Sequence, residues 1–103
     1  MDLNLKGKIA LVTGSSRGIG RATAMALARE GCQVALCARG GDVLKKTERE
    51  IAALGVRTAA IEADVGDADQ AVRLIDEVIK RLGGIDILVN NVGGNQGGML
   101  FES

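Results

Sequence analysis

A short glycine-rich stretch between an apolar run and an alanine-rich segment constrains the fold more than any other part of this sequence. The apolar run covers 8–12, and the stretch from Thr13 to Gly20 reads T-G-S-S-R-G-I-G. The alanine-rich segment predicts a helix from Gly18 to Glu30, because alanine is the best helix former. The stretch therefore marks a sharp turn from strand to helix, the place where an open α/β sheet binds the pyrophosphate of a dinucleotide.

The spacing of the glycines suits an anion-binding turn. They stand as G-x-x-x-G-x-G at Gly14, Gly18 and Gly20. Glycine lets the chain turn, lets backbone N–H groups reach a phosphate, and lets a helix pack closely on a strand. A P-loop would continue with Lys-Ser or Lys-Thr, whereas this chain continues with Arg21-Ala22. Glycines at such a turn also have a purely structural explanation, so the interpretation needs support from the rest of the chain.

Apolar runs alternate with helical patterns along the remaining sequence. Strands are predicted at 9–13, 33–38, 57–62 and 86–90, and helices at 18–30, 42–54 and 68–82. Right-handed crossovers place the four strands in the order 3-2-1-4. The predicted fold class is therefore α/β, the first half of a Rossmann-like doubly wound parallel sheet with three helices, and residues 1–103 form one domain.

The third predicted helix has a recognisable start and an apolar face. Asp67 and Gln70 have the spacing of a capping box, so we expect the helix to begin there. Its helical periodicity predicts a buried face. We expect that face to consist of Ala71, Val72, Ile75, Val78 and Ile79.

The fourth strand is predicted to end the sheet. Residues 94–98 are glycine-rich and predict a loop, and no further strand is expected. The run 86–90 would then present an apolar edge without a partner, which is a template for pairing with another chain. We expect self-association, with strand 86–90 as its site.

Charge and composition exclude several classes of function. The chain has 13 basic and 13 acidic residues, interspersed, so it offers no basic face to nucleic acid or anionic lipid. No apolar run approaches the ~20 residues of a membrane span, and no signal-peptide pattern precedes the first strand, so we expect a cytoplasmic protein. Cys32 and Cys37 are expected to be buried thiols, and without histidine they make no metal site.

Three linked motifs resemble one enzyme family in order and in spacing. In the first turn, Thr13 precedes the first glycine and Arg17 precedes the second. Asp64-Val65 follows the third strand, and Asn90-Asn91-Val92-Gly93 follows the fourth. Over nearly the whole chain, this arrangement resembles the cofactor-binding portion of the short-chain dehydrogenase/reductase family. The family pattern in the last motif is Asn-Asn-Ala-Gly, and Val92 departs from it by a bulkier side chain.

The resemblance assigns roles in coenzyme binding to individual residues. The carboxylate of Asp64 would accept from the adenine amino group, beside the backbone of Val65. The asparagines would tie neighbouring strands together, and the backbone there would border a ribose. The cofactor-binding residues expected on this basis are Gly14, Ser15, Ser16, Arg17, Gly18, Ile19, Gly20, Arg39, Asp64, Val65, Asn91, Val92 and Gly93.

Two arginines favour NADP over NAD. An acidic residue at the end of the second strand, about 20 residues beyond the glycine turn, would bind a ribose 2′-hydroxyl and select NAD. This chain has Ala38-Arg39 there, and Arg17 lies within the turn. The pair resembles the NADP-preferring pattern of the family, in which both guanidinium groups contact the 2′-phosphate. The alternative for each arginine is a solvated surface charge.

The sequence contains none of the catalytic residues that the resemblance would require. Hydride transfer in the family depends on a serine and a Tyr-x-x-x-Lys pair placed beyond position 103, and this chain has no tyrosine. We therefore expect the cofactor-binding half of an NADP-preferring oxidoreductase, inactive alone, whose parent reaction is hydride transfer between NADPH and a carbonyl or alcohol carbon. The alternatives are a non-catalytic NADP-binding or assembly module, and a fragment without nucleotide affinity.

Overall fold

Strands and helices alternate along the chain in the predicted order. The structure is a computed structural model that describes residues 4–91 and the backbone of 97–101. The elements are β1 (Ile9–Thr13), α1 (Gly18–Arg29), β2 (Gln33–Ala38), α2 (Gly41–Ala52), β3 (Thr58–Glu62), α3 (Ala68–Leu82), β4 (Ile87–Asn91) and β5 (Gly97–Phe101). The first seven match the predicted elements to within two residues at each end.

One sheet with strand order β3-β2-β1-β4-β5 forms the centre of the molecule. Strand β1 pairs in parallel with both neighbours, so that Val12 lies opposite Leu36 of β2 and Val89 of β4. The predicted order 3-2-1-4 is confirmed. A parallel strand covered on both faces has no solvent side, which explains why β1 is an unbroken apolar run whose Leu11 and Val12 are completely buried.

Two apolar layers lie on opposite faces of the sheet. Successive strand side chains point to opposite faces, so Val12 joins the layer under α1 and α2 and Leu11 joins the layer under α3. The two cysteines divide in the same way, Cys32 in the first layer and Cys37 in the second. Both are buried free thiols, as predicted.

The prediction for the buried face of α3 was partly wrong. Val78 is completely buried, but its buried companions are Leu74 and Leu82, at four-residue spacing. Val72 is 61% exposed, Ile79 47% and Ile75 36%. The helix carries apolar residues over an arc wider than one contact face, and only the part centred on Val78 meets the sheet. Periodicity alone does not show which part of a wide apolar arc is covered.

The expected unpaired edge of β4 is also corrected by the structure. Strand β5 pairs with it antiparallel, with the backbone of Met99 opposite Val89 and that of Gly97 opposite Asn91. The sequence did not predict β5, because Gly97-Gly98 are poor strand formers. The edge of a strand carries a row of unpaired N–H and C=O groups, and the chain that follows β4 satisfies those of β4. The edge of β4 therefore gives no support to self-association through residues 86–90.

Candidate cofactor site

The carboxyl ends of the parallel strands meet at one edge of the sheet, where the chain changes direction. The chain crosses from β1 to β2 on one side and later returns to place β4 on the other side. A crevice forms outside the strand ends at such a switch point, and ligands of open α/β sheets bind there. The glycine turn that follows Thr13 lies in this place.

The three glycines of the turn have separate structural reasons, as the sequence predicts. Gly14 and Gly18 have φ values of 59° and 64°, in the left-handed region that favours glycine. A Cβ on Gly14 would overlap the backbone oxygen of Asn91, and a Cβ on Gly20 would overlap the backbone oxygen of Gly14. The backbone of the turn therefore packs directly against the backbone of β4, too closely for a side chain to fit between them.

The first turn of α1 presents backbone N–H groups toward the crevice. Arg17 is the N-cap residue, and within the described residues no side chain caps this helix end. The first turn also contains no acidic residue. A helix start has unpaired N–H donors and a partial positive charge, so this end of α1 suits an anion. Ile19, in the same turn, is 72% exposed.

Ser15 holds the glycine turn against β2. Its N–H donates to the backbone oxygen of Cys37 at 3.0 Å, and its Oγ accepts from the N–H of Cys37 at 2.9 Å. The Oγ also lies 3.3 Å from the Cys37 oxygen as a donor. Ser15 is completely buried. Its hydroxyl and its N–H are both bonded to Cys37, so Ser15 positions the turn.

The predicted link between strands by the asparagines is present. Thr13 donates from Oγ1 to Oδ1 of Asn90 at 2.8 Å, and the same Oγ1 accepts from the N–H of Asn91 at 2.9 Å. These bonds join the ends of β1 and β4. In addition, Oδ1 of Asn91 is buried and has no hydrogen-bond partner among the residues that the structure describes. A buried acceptor of this kind is costly unless a further donor satisfies it.

A groove of about 360 Å³ runs from the glycine turn to the loop after β3. Its lining includes Gly14, Arg39, Asp64, Val65 and Asn91, all of which are predicted site residues. The groove thus brings the three sequence motifs together. The other lining residues are Cys37, Ala38, Ala63 and Gly66. Val92 and Gly93 lie outside the described residues.

Asp64 is held in place by its neighbours and keeps one carboxylate oxygen available. Its N–H donates to Oε1 of Gln70 at 2.8 Å, and its Oδ1 accepts from the N–H of Gly66 at 2.9 Å. Asp67 caps α3 as predicted, accepting from the N–H groups of Asp69 and Gln70. Gln70 is turned to Asp64, so the capping box is only half formed. The side chain of Gln70 instead fixes the loop that lines the groove, through its bond to Asp64.

The two arginines line adjoining grooves rather than one. Arg39 lines the groove just described. Arg17 lines a second groove, of about 390 Å³, together with Gly40, Lys45 and Glu62. Because Gly40 follows Arg39, the grooves meet at the end of β2. Neither arginine forms an ion pair within residues 4–91.

Three residues at the site were not predicted from the sequence. Lys45 and Glu62 line the second groove, and Thr47 donates from Oγ1 to the backbone oxygen of Ser16 at 3.0 Å, which ties the turn to α2. Lys45 belongs to a strongly charged helix face and Glu62 ends a strand, so both look like ordinary solvated residues in the sequence. Their place at the site follows only from how α2 and β3 pack beside the turn.

The thiol of Cys37 lies in the wall of the first groove in its neutral form. Burial raises its pKa to about 11, a hydrogen bond to the backbone of Ala63 lowers it, and the charge of Asp64 raises it. Burial, Glu30 and Asp86 likewise raise the pKa of Cys32. No cluster of potential metal ligands occurs in the described ranges. None of the helices in those ranges is apolar over a length that would cross a bilayer.

The donors of the site fit a dinucleotide. Gly14 and Gly20 pack too closely on neighbouring backbone to carry a side chain, and the open start of α1 adjoins this turn. A diphosphate needs N–H donors in a confined backbone turn, and an adenosine needs a groove with a carboxylate and apolar walls. The residues present supply both.

Comparison with known proteins gives a consistent family match. The model of the short chain dehydrogenase family matches residues 8–102. The 3-oxoacyl-(acyl-carrier-protein) reductase FabG of Staphylococcus aureus is 46% identical over 96 residues, which are 92% of this chain and 39% of that protein. The chain therefore spans about two fifths of the length of this curated relative.

Solved structures of the same fold include complexes with both coenzymes. L-Sorbose reductase of Gluconobacter frateurii, complexed with NADPH and L-sorbose, has a TM-score of 0.88 and 39% identity over 93% of this chain and 37% of its own. NAD⁺-bound xylitol dehydrogenase has a TM-score of 0.84 and 37% identity over 86% of this chain and 34% of its own.

Proposed function

This chain belongs to the short chain dehydrogenase family, and we propose that it is the coenzyme-binding part of an NADP-preferring oxidoreductase. The whole enzyme would transfer a hydride reversibly between NADPH and a carbonyl or alcohol carbon. The observation that carries the proposal is the open N-terminus of α1 directly after the closely packed glycine turn at the switch point of the sheet. Bound NADPH would supply the hydride, and the residues of this chain would bind the NADPH.

The two ends of the coenzyme have different partners in this proposal. The diphosphate accepts from backbone N–H groups of the turn 14–20 other than that of Ser15, which donates to Cys37, and Ser15 and Thr47 fix the turn. The adenosine lies in the groove of about 360 Å³, with the available oxygen of Asp64 toward its amino group. Val65 forms part of the apolar wall there. Val92 and Gly93 would complete the border of the ribose.

The preference for NADP is supported by unpaired positive charge beside the turn. Arg39 lines the first groove, and Arg17 and Lys45 line the second. A hydrogen bond to a charged group contributes ~1.5 to 3 kcal/mol, and each ~1.4 kcal/mol is tenfold in affinity. Exposure reduces these values through solvent screening, so two contacts support a preference of about tenfold rather than the full sum.

Titration of the purified chain with NADPH and NADH, followed by coenzyme fluorescence, tests the proposal. We expect NADPH to bind about tenfold more tightly than NADH. Arg39→Asp should reverse the preference, because it places a carboxylate where a ribose 2′-hydroxyl would be bound. Arg73→Asp makes the same change of charge on the exposed face of α3 and should leave the ratio of the two affinities unchanged. Equal affinities in the original chain would contradict the NADP preference.

We also propose that the 103 residues have no dehydrogenase activity alone, since they include no tyrosine. The measurement is NADPH oxidation with reactive diketones at increasing concentrations of purified chain. Turnover that follows the protein concentration would contradict the proposal.

A cytoplasmic location is proposed on the composition alone.

A non-catalytic NADP-binding or assembly module is the second candidate. Strand β5 supports it, because its antiparallel pairing satisfies the backbone groups of the β4 edge within this chain. A chain that binds NADPH, folds cooperatively and lacks turnover would fit this candidate. Self-association is a separate proposal that sizing over a range of concentrations would test, and a monomer throughout would remove it.

A further inference from the structure

A carboxylate lies in the groove where the 2′-phosphate of NADP is expected. Glu62 ends β3, pairs with Ala38 in the sheet, and lines the groove together with Arg17 and Lys45. A Cβ placed on Gly41 would lie only 3.0 Å from Oε2 of Glu62. The negative charge is therefore in contact with the first residue of α2, directly beside the end of β2.

Glu62 shares its groove with two cations, Arg17 and Lys45, and with a second carboxylate, Asp42 in the first turn of α2. The N-cap residue of α2 is Gly40, and within the described residues no side chain makes a capping hydrogen bond there. A carboxylate near a helix start is stabilised by the unpaired N–H groups and the partial positive charge of that end. Glu62 makes no ion pair with Arg17 or Lys45 within residues 4–91. The same donors and cations would attract a phosphate, so the carboxylate and a phosphate compete for one electrostatic environment.

From this placement we infer that Glu62 is a specificity-determining residue that weakens binding of the 2′-phosphate and so moderates the preference for NADP. The inference depends on the proposed function, because it concerns the same coenzyme site. A 2′-phosphate carries negative charge that NAD lacks. Repulsion by Glu62 therefore acts on NADPH and leaves NADH nearly unaffected.

A purely structural role for Glu62 predicts the opposite result. If the carboxylate served only to stabilise the start of α2, its removal would loosen the wall of the groove and weaken both coenzymes. Under our inference, Glu62→Gln lowers the thermal stability slightly, because α2 loses a favourable charge. The same substitution strengthens NADPH binding. Thermal stability falls while NADPH affinity rises, a combination that a purely structural role does not predict.

A charge series at this position tests the inference. We expect Glu62→Gln to tighten NADPH binding by about fivefold, the effect of removing one charge a few ångströms from a phosphate in a solvated groove. Glu62→Lys should tighten it further, and both variants should keep the NADH affinity of the original chain. Glu30→Gln removes a carboxylate at the far end of α1 and serves as the control. Titrations at low and high salt should show the difference shrinking with ionic strength.

The outcomes separate the inference from the proposed function. If the original chain binds neither coenzyme, the proposed function is wrong and the inference falls with it. If the original chain binds NADPH but the NADPH-to-NADH ratio is the same in Glu62→Gln, Glu62→Lys and Glu30→Gln, the inference alone is overturned. Weaker binding of both coenzymes in both Glu62 variants, with lowered thermal stability, would assign Glu62 a structural role and also overturn it.

Discussion

The crevice end of the sheet and the outer face of α3 differ in how strongly their geometry is constrained. At the crevice, the glycine turn is fixed on three sides by β2, β4 and α2, through Ser15, Asn91 and Thr47. On α3, the apolar residues Val72 and Ile79 remain 61% and 47% exposed. The comparison indicates that specific hydrogen bonds and close packing are concentrated at the backbone that would bind a phosphate. The apolar face of α3 is held only where it meets the sheet.

The largest expected effect is at the crevice, where the backbone has no room for a side chain. Gly20→Ala places a methyl group on the backbone oxygen of Gly14. We expect it to lower the free energy of unfolding by about 3 kcal/mol, the upper range of overpacking in a close-packed interior, and to abolish coenzyme binding. Urea denaturation and NADPH titration measure the two effects.

Gly84→Ala is the matched control for that substitution. The nearest atom to an added Cβ there is Cδ1 of Ile9 at 4.0 Å, an ordinary contact. Its stability should remain within about 0.5 kcal/mol of the original chain, as for surface substitutions in general. If both glycine variants lost the same free energy of unfolding, close packing at the turn would not explain the loss at Gly20.

The next effect contrasts two valines on α3 that differ only in burial. Val78→Ala removes completely buried methyl groups and should cost about 2 kcal/mol in unfolding free energy. Val72→Ala, at a position 61% exposed, should change it by less than about 0.5 kcal/mol. A cost at Val72 as large as that at Val78 would show that another surface covers this face in solution.

A smaller effect is expected from the hydroxyl that joins the turn to β2. Ser15→Ala leaves the buried N–H of Cys37 without its acceptor, and an unsatisfied buried donor costs about 1.5 kcal/mol. NADPH binding should weaken as well, since the turn loses an attachment. Ser16→Ala provides the control for stability, because the contact at Ser16 is made by its backbone oxygen. If both serine variants were equally stable, the Ser15 hydroxyl would not be an anchor.

The last effect is absent at neutral pH and appears only in alkaline solution. Because burial raises the pKa of Cys37 from 9.0 to about 11, the unfolded chain releases the thiol proton at lower pH than the folded chain. The stabilising contribution is complete below pH 9 and is lost as pH rises toward 11, so the unfolding free energy should fall over this interval. Cys37→Ala should flatten the fall when both chains are denatured in urea at several pH values. An unchanged slope would contradict the burial of this thiol.

The sequence predicted those features that local backbone chemistry determines. The glycines at 14, 18 and 20 were predictable because a strand-to-helix turn needs positive φ and close approach. The strand order followed from the handedness of crossovers. The role of Asp67 as a cap was also predictable, since it depends on residues two and three positions away.

Features that depend on distant packing were not predictable. The covered part of α3 depends on where the sheet meets it, so Leu74 and Leu82 were missed and Val72 and Ile79 were misplaced. Strand β5 depends on an available partner edge rather than on its own propensity. Glu62 and Lys45 join the site only because β3 and α2 end beside the turn, and no local pattern distinguishes them from solvated charges.

The central claim is that backbone N–H groups between Gly14 and Gly20 bind the diphosphate of a dinucleotide. Titrating the ¹⁵N-labelled chain with NADPH and following its amide signals by NMR tests this claim most directly. We predict large, saturable shifts for the amides of the turn and for Arg39, while the amides of Val72 and Ile79 on α3 stay in place. Saturable shifts confined to α3, or no shifts in the turn at saturating NADPH, would contradict the claim.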